Sequence, residues 1–255
     1  MTDKQNKATS KDSSNAQDPS RRKFIKNSSI ATGGVVGGAL LGGLIGNPFK
    51  SEEKPTDNKP EKLYTETRMF FTRVEDFNVL KQATERIYPE DDNGPGAIEL
   101  GAPYFIDKQL ASDFGSNKKD YMKGPSQEVK DINTYQTLMT RGDVFIEGLR
   151  KMNAESQKLH DEKFFDLEEE QQDSILEDLE KGKIKLRGVS STTFFKLLRQ
   201  MTIEGVYSDP LYGGNKDMQG WKMKEHPGIR ASYIDLIESE DFEKLDPVSL
   251  KDYQQ

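Results

Sequence analysis

The sequence predicts a mainly α protein: a helical bundle with long Gly/Pro-rich loops, preceded by a disordered N-terminal signal and linker. Three observations carry this. Apolar residues recur three and four positions apart in five separate stretches, the period of one helix face. No stretch sustains the apolar–polar alternation of a half-buried strand, and no hairpin signal joins two such runs. Gly and Pro gather in the segments between the helical stretches, where the backbone has to turn.

The 255 residues leave room for one domain of ordinary size and an N-terminal appendage. Hydrophobic residues make up 33% and charged ones 32%, so the core is wrapped in charge, but 13 Phe, 9 Tyr and 8 Met suffice to build one. With no cysteine, thiolate zinc sites, iron–sulfur clusters, covalently attached haem, disulfides and lipid acylation at Cys are excluded together. No G-x-G-x-x-G fingerprint and no phosphate-binding loop appears either.

Residues 1–46 form the first unit. A polar tail leads to the basic cluster Arg21, Arg22, Lys23 and Lys26, then to an uncharged stretch over residues 28–46, the layout of an export signal. The run Ser20 to Lys26, with Arg21, Arg22, Phe24, Ile25 and Lys26 as its signal residues, resembles a twin-arginine signal. A transmembrane helix needs about 20 strongly apolar residues, and Gly33, Gly34, Gly37, Gly38, Gly42 and Gly43 dilute this one. No A-x-A precedes Asn47, so the stretch is also readable as a retained anchor with its positive residues inside. The resemblance implies the twin-arginine translocase as a partner, the membrane as a contact of residues 28–46, and a place on the extracytoplasmic face of the cytoplasmic membrane. That route carries folded proteins that acquire a cofactor before export, or their partners.

Seven of the 37 basic and three of the 44 acidic residues lie in residues 1–46, which leaves a formal charge of -11 on the remainder. Such a body repels nucleic acid, and no basic patch with interleaved aromatics reverses this. Residues 47–62 (NPFKSEEKPTDNKPEK) read as a solvated linker, and the helical domain is expected over residues 63–255.

Within that domain Thr72 and Glu75 read as a capping box for a first helix that puts Phe77, Leu80, Thr84 and Ile87 on one face and ends at Pro89. The acidic tip Glu90, Asp91 and Asp92 of the next turn lacks the spacing of a calcium loop and reads as solvated. A second helix is expected from Pro103 to about Phe114, burying Phe105, Ile106, Gln109 and Leu110. A third is expected from about Gln127 to His160, with Ile132, Tyr135, Met139, Gly142, Ile146 and Leu149 as its seam. Asp166 and Glu169 form a capping pattern for a fourth helix closed by Gly182, and a fifth begins at Ser190 or Ser191 and runs through Phe194, Phe195, Leu197, Leu198 and Met201 towards Gly205.

Neither histidine sits in a Glu-x-x-His pattern, which excludes the ferritin-like di-iron arrangement. His160 reads as a dipole contact at a helix C-terminus. His226 with Asp209 or Asp217 as orienter would be a general base without a nucleophile to activate.

The segment from Met201 to Gly228 is the densest in Gly and Pro and holds the single tryptophan. Its run Gly205-x-Tyr207-Ser208-Asp209-Pro210-x-Tyr212-Gly213-Gly214-Asn215, then Gly220-Trp221 and Pro227-Gly228, resembles the C-terminal signature of the gluconate 2-dehydrogenase subunit 3 family. The stretch from Glu85 to Ala111 is similar to that family's N-terminal motif, with Pro89, Asp91, Gly96, Ala97, Gly101 and Asp107 at matching places, and together the two cover Phe70 to Gly228. His226 departs from the pattern, standing where a shorter hydrophobic or Gly-Tyr step often precedes the Pro-Gly.

The resemblance implies a non-catalytic accessory subunit of an exported dehydrogenase complex. FAD would sit in a partner flavoprotein of the glucose–methanol–choline type that oxidises a sugar or sugar acid, haem c in a third, cytochrome c subunit, and no cofactor in this chain. The small subunit would aid folding, export and assembly of the flavoprotein. Tyr207, Asp209, Pro210, Tyr212, Gly213, Gly214, Asn215 and Trp221 are the candidates for the partner interface. A rival reading makes the same loop a carbohydrate- or solute-binding module, with Trp221, Tyr207 and Tyr212 as stacking platforms and Asp209, Asn215 and Asp217 as hydroxyl partners. Under either function Trp221 could instead plug the bundle.

Overall fold

The computed structural model describes residues 66–122, 137–239, 241 and 243–253. The signal residues Arg21, Arg22, Phe24, Ile25 and Lys26, the stretch 28–46, the linker 47–62 and the seam positions Ile132 and Tyr135 lie outside the described residues. The domain is mainly helical, as expected: α1 (Val74–Ile87), α2 (Ala102–Ala111), α3 (Arg141–His160), α4 (Glu169–Glu180), α5 (Ser191–Tyr207) and the short α6 (Gln219–Met223). Among the described residues extended pairing is confined to three isolated bridges, and no helix is long and apolar enough to cross a membrane.

α1 buries Phe77, Leu80 and Thr84 as its spacing demands, with Ile87 half-buried. Its cap is not the expected one. Arg73 is the N-cap and makes no capping side-chain bond, because Glu75 is drawn across to Lys163 (3.4 Å) and Asn153 (3.1 Å) as well as to Arg73 (2.7 Å). Charged partners on other elements outcompete a local hydroxyl. α2 starts at Ala102, after Gly101 in a left-handed conformation (φ 77°), and stops three residues short of Phe114. There the Ser112 hydroxyl donates to the Gln109 carbonyl and accepts from the Phe114 N–H. Gln109 is half-buried at the surface and not in the core.

α3 begins later than expected. Thr140 and Asp143 form a reciprocal capping box that satisfies orphan N–H groups and sets the start at Arg141. Met139 therefore precedes the helix, Ile146 is half-buried, and the buried seam is Gly142, Val144, Phe145, Gly148, Leu149, Met152 and Ser156. Asp166 does not cap α4; Glu168 does, paired with Gln171. Gly182 closes α4 as predicted, at φ 75°, its N–H on Leu179 and that of Lys183 on Asp178. The Ser190 hydroxyl accepts from Thr193 N–H and opens α5.

One core joins these helices, centred on Phe145, Phe164, Phe194, Leu80, Leu149 and Leu198. Phe145 meets Phe194 edge-on with ring centroids 5.9 Å apart. The Phe194 ring lies where a Cβ on Gly148 would be, so α3 and α5 approach closely at that glycine. Arg86 forks onto Asp173 at 2.8 and 2.9 Å and ties α1 to α4. Two features set up the loop end. Gly205 of α5 packs closely against Ala102 of α2, where a further carbon would sit 3.0 Å from the Ala102 side chain. Beside this crossing a smaller cluster of Tyr88, Ala97, Leu100, Ala102 and Val206 forms the floor of the segment that follows α5.

Candidate functional site

After Tyr207 the backbone takes left-handed conformations at Gly213 (φ 95°), Asn215 (φ 47°), Asp217 (φ 54°) and Met218 (φ 58°). A non-glycine residue holds such a conformation only when its surroundings impose it, and Asn and Asp bear it best. Asn215 is fully buried, and its side chain spans the loop. Its Nδ2 donates to the Ser208 carbonyl (2.8 Å) and its Oδ1 accepts from the Gly220 N–H (2.7 Å). The Asn215 N–H donates to the Gly205 carbonyl at 2.9 Å. A Cβ on Gly214 would overlap that same carbonyl, and one on Gly220 would overlap the carbonyl of Val206. Asn215 thus binds the end of α5 to the start of α6.

Trp221 is 6% exposed, and its indole N–H donates to the Tyr207 carbonyl at 2.8 Å. The Tyr207 hydroxyl meets that of Tyr88 at 2.9 Å. Asp209, 5% exposed, accepts from Leu211 N–H (2.9 Å) within the loop. It also accepts from the Ser249 hydroxyl and the Leu250 N–H, both at 2.8 Å, so a carboxylate of the loop holds the tail of the chain. Under the loop, burial pushes the pKa of Lys108 below the usual lysine value, against the opposing pull of Asp107. Asp107 is itself fully buried and accepts from the backbone N–H groups of Met69, Phe70 and Phe71, which fixes the path into α1.

Outward this scaffold presents two large side chains, Leu211 and Tyr212, beside the exposed charges of Lys216 and Asp217. Leu211 is 37% and Tyr212 48% exposed. Tyr212 lines an open groove of about 660 Å³ whose other walls include Phe105 and Gln109 of α2 and Ile203, Glu204 and Tyr207 of α5. A family model described as gluconate 2-dehydrogenase subunit 3 matches residues 74–228. The chain belongs to the gluconate 2-dehydrogenase subunit 3 family. The match runs from the first residue of α1 to the glycine after α6 and so takes in both motif stretches. No curated protein and no solved structure matches the chain.

In this subunit 3 chain all eight interface candidates come together at one end of the bundle. Asp209, Gly213, Gly214, Asn215 and Trp221 face inward, Tyr207 and Pro210 are half-buried, and Tyr212 is exposed. Trp221 fills the bundle end and offers no ring face for a sugar, and the amide of Asn215 is spent on backbone. His226 accepts from Gly228 N–H through Nδ1 (2.9 Å), and its ring centroid is 5.5 Å from that of Trp221. Asp209 is committed to Leu211, Ser249 and Leu250 rather than to His226. His160 accepts through Nδ1 from the side-chain amide of Gln171 at 3.2 Å, a cross-helix contact. Among the described residues no group of three or more His, Asp or Glu side chains is placed to hold a metal ion.

Sequence reasoning missed Leu211, the groove residues Ile203 and Glu204, Tyr88 and the clamp on the tail. Only the clamp left a signal: Ser249-x-x-Asp252 reads as a cap, and Ser249 N–H does donate to the Asp252 carboxylate at 2.8 Å.

Proposed function

We propose that this chain is the non-catalytic accessory subunit of an exported flavin-dependent dehydrogenase complex acting on a sugar or sugar acid. In this reading FAD belongs to a partner flavoprotein and haem c to a cytochrome c subunit. The flavoprotein folds against this chain, leaves the cytoplasm through the twin-arginine translocase on the signal Arg21, Arg22, Phe24, Ile25 and Lys26, and works at the extracytoplasmic face with residues 28–46 at the membrane. The observation that carries the reading is the family match, which ends in a loop whose buried polar groups are bonded within the chain itself. Such a loop shapes a surface. Tyr212 and Leu211 beside an apolar groove suit a protein partner, since aromatic anchors near grooves dominate protein–protein binding.

Two measurements test it. The protein captured from its native membrane fraction should bring with it a larger chain carrying a flavin spectrum; a colourless single band overturns the proposal. Replacing both Arg21 and Arg22 by Lys should leave this chain and the flavoprotein together in the cytoplasm, and a flavoprotein still exported would remove the carrier role.

A further inference from the structure

The family match ends at Gly228, yet the chain goes on to make a closed excursion. Gly228 and Val248 form a parallel bridge, with Ile229 N–H donating to the Val248 carbonyl (2.8 Å) and Val248 N–H to the Pro227 carbonyl (3.2 Å). Arg230 adds a second tie across the neck, donating to the Asp246 carbonyl at 2.8 Å, and Lys244 pairs with Glu225 at 2.6 Å. The neck is seated on the loop scaffold: a Cβ on Gly228 would overlap Val248 and crowd the Trp221 ring, and Ser249 and Leu250 are held by Asp209. The chain thus leaves at Ile229 and returns at Val248, at one point beside the groove.

The outer part of this arm is built against solvent. A short helical turn, Ile234–Leu236, leaves Ile234 69% and the following Ile237 75% exposed, with Tyr233 at 45%. Three large apolar side chains gathered on so short a stretch exceed the scattered exposure normal for a protein surface. Exposed carboxylates follow at Glu238, Asp241 and Glu243. The two properties together select an occupant. An anionic leaflet attracts basic segments and repels carboxylates, so charge opposes lipid as the binder of this tip. A projecting apolar knob flanked by acids is complementary to a concave apolar cleft with a basic rim, where the buried knob supplies affinity and the rim steers approach.

We infer that residues 229–247 are a docking arm whose Tyr233, Ile234 and Ile237 tip enters an apolar, lysine- or arginine-rimmed cleft on the flavin-bearing subunit. This rests on the subunit reading above and adds a second contact outside the family-matched residues. Because Asp209 lines the groove and also clamps the arm's return, one partner surface engages both.

The test uses the intact complex. A photo-crosslinking residue replacing Ile237, with the same residue replacing exposed Leu159 on α3 as control, is activated after capture from membranes. Cross-linking from position 237, and not from 159, into a basic-rimmed cleft of the flavin-bearing chain is the expected result. The pair Ile234→Asp and Ile237→Asp should reduce recovery of that chain about tenfold or more, while helical circular dichroism and Trp221 emission stay unchanged. Cross-linking to lipid or to another copy of this chain, or full recovery with the doubly substituted arm, overturns the arm while leaving the subunit reading standing. A wild-type chain that captures no flavin-bearing subunit overturns both.

Discussion

Asn215 is the residue on which the loop turns, and its burden can be divided. Asn215→Ala strands the buried Gly220 N–H and the Ser208 carbonyl and puts a residue poorly suited to φ 47° in its place. A loss of about 3 kcal/mol is expected in urea denaturation. Asn215→Gly loses the same two bonds but accepts the left-handed conformation, so it should be about 1 kcal/mol less damaging than alanine. Equal losses would show that the backbone conformation carries no strain. Asp209→Asn should cost about 2 kcal/mol by turning a donor towards donors, and hydrogen exchange at Val248, Ser249 and Leu250 should rise with it. The sequence marks this stretch as turn-rich and close-packed through its glycines. It does not reveal that Asp209 faces inward, because two of the three groups that satisfy it lie 40 and 41 residues further along the chain.

At the scale of helices, legibility followed the locality of the cause. Gly182 and Ser190 were readable because each acts on the turn beside it. The caps at Thr72 and Asp166 were misread because cross-element partners of Glu75 and the reciprocal pair Glu168 and Gln171 outweigh them. The start of α3 was misplaced because apolar steps of three and four extend upstream of Thr140, and periodicity alone does not register a cap. Thr140→Ala should therefore cost about 1 kcal/mol in a thermal or urea melt. Where α3 meets α5, Gly148→Ala pushes a methyl into the Phe194 ring, for a loss of about 1–3 kcal/mol. In a Phe194→Leu background that penalty should shrink measurably. Additive losses in the double-mutant cycle would place the cause elsewhere than in the ring.

Across the whole molecule, α2 and α5 belong to both the main core and the cluster beneath the loop. The bundle and the loop scaffold should then unfold as one unit, so the red shift of Trp221 emission and the loss of helical circular dichroism should share a midpoint. An earlier shift in emission would make the scaffold a separate, weaker unit. The outward face should be separable from stability: Leu211→Asp with Tyr212→Asp is expected to lower flavoprotein capture about tenfold while changing stability within about 0.5 kcal/mol. The ion pair of Glu66 with Lys216 at 3.3 Å brings the start of the described chain to the same end at which Asp209 holds its tail. Glu66 and the segment Ser249–Leu250 are therefore both held at the end of the bundle that carries the proposed docking face, and an affinity handle or fluorescent reporter inserted beside either would stand in the partner's way. The turn at Gly182, beside Thr192 at the far end of the 17-residue α5 and so about 25 Å distant, is where a reporter can be inserted without competing for that face.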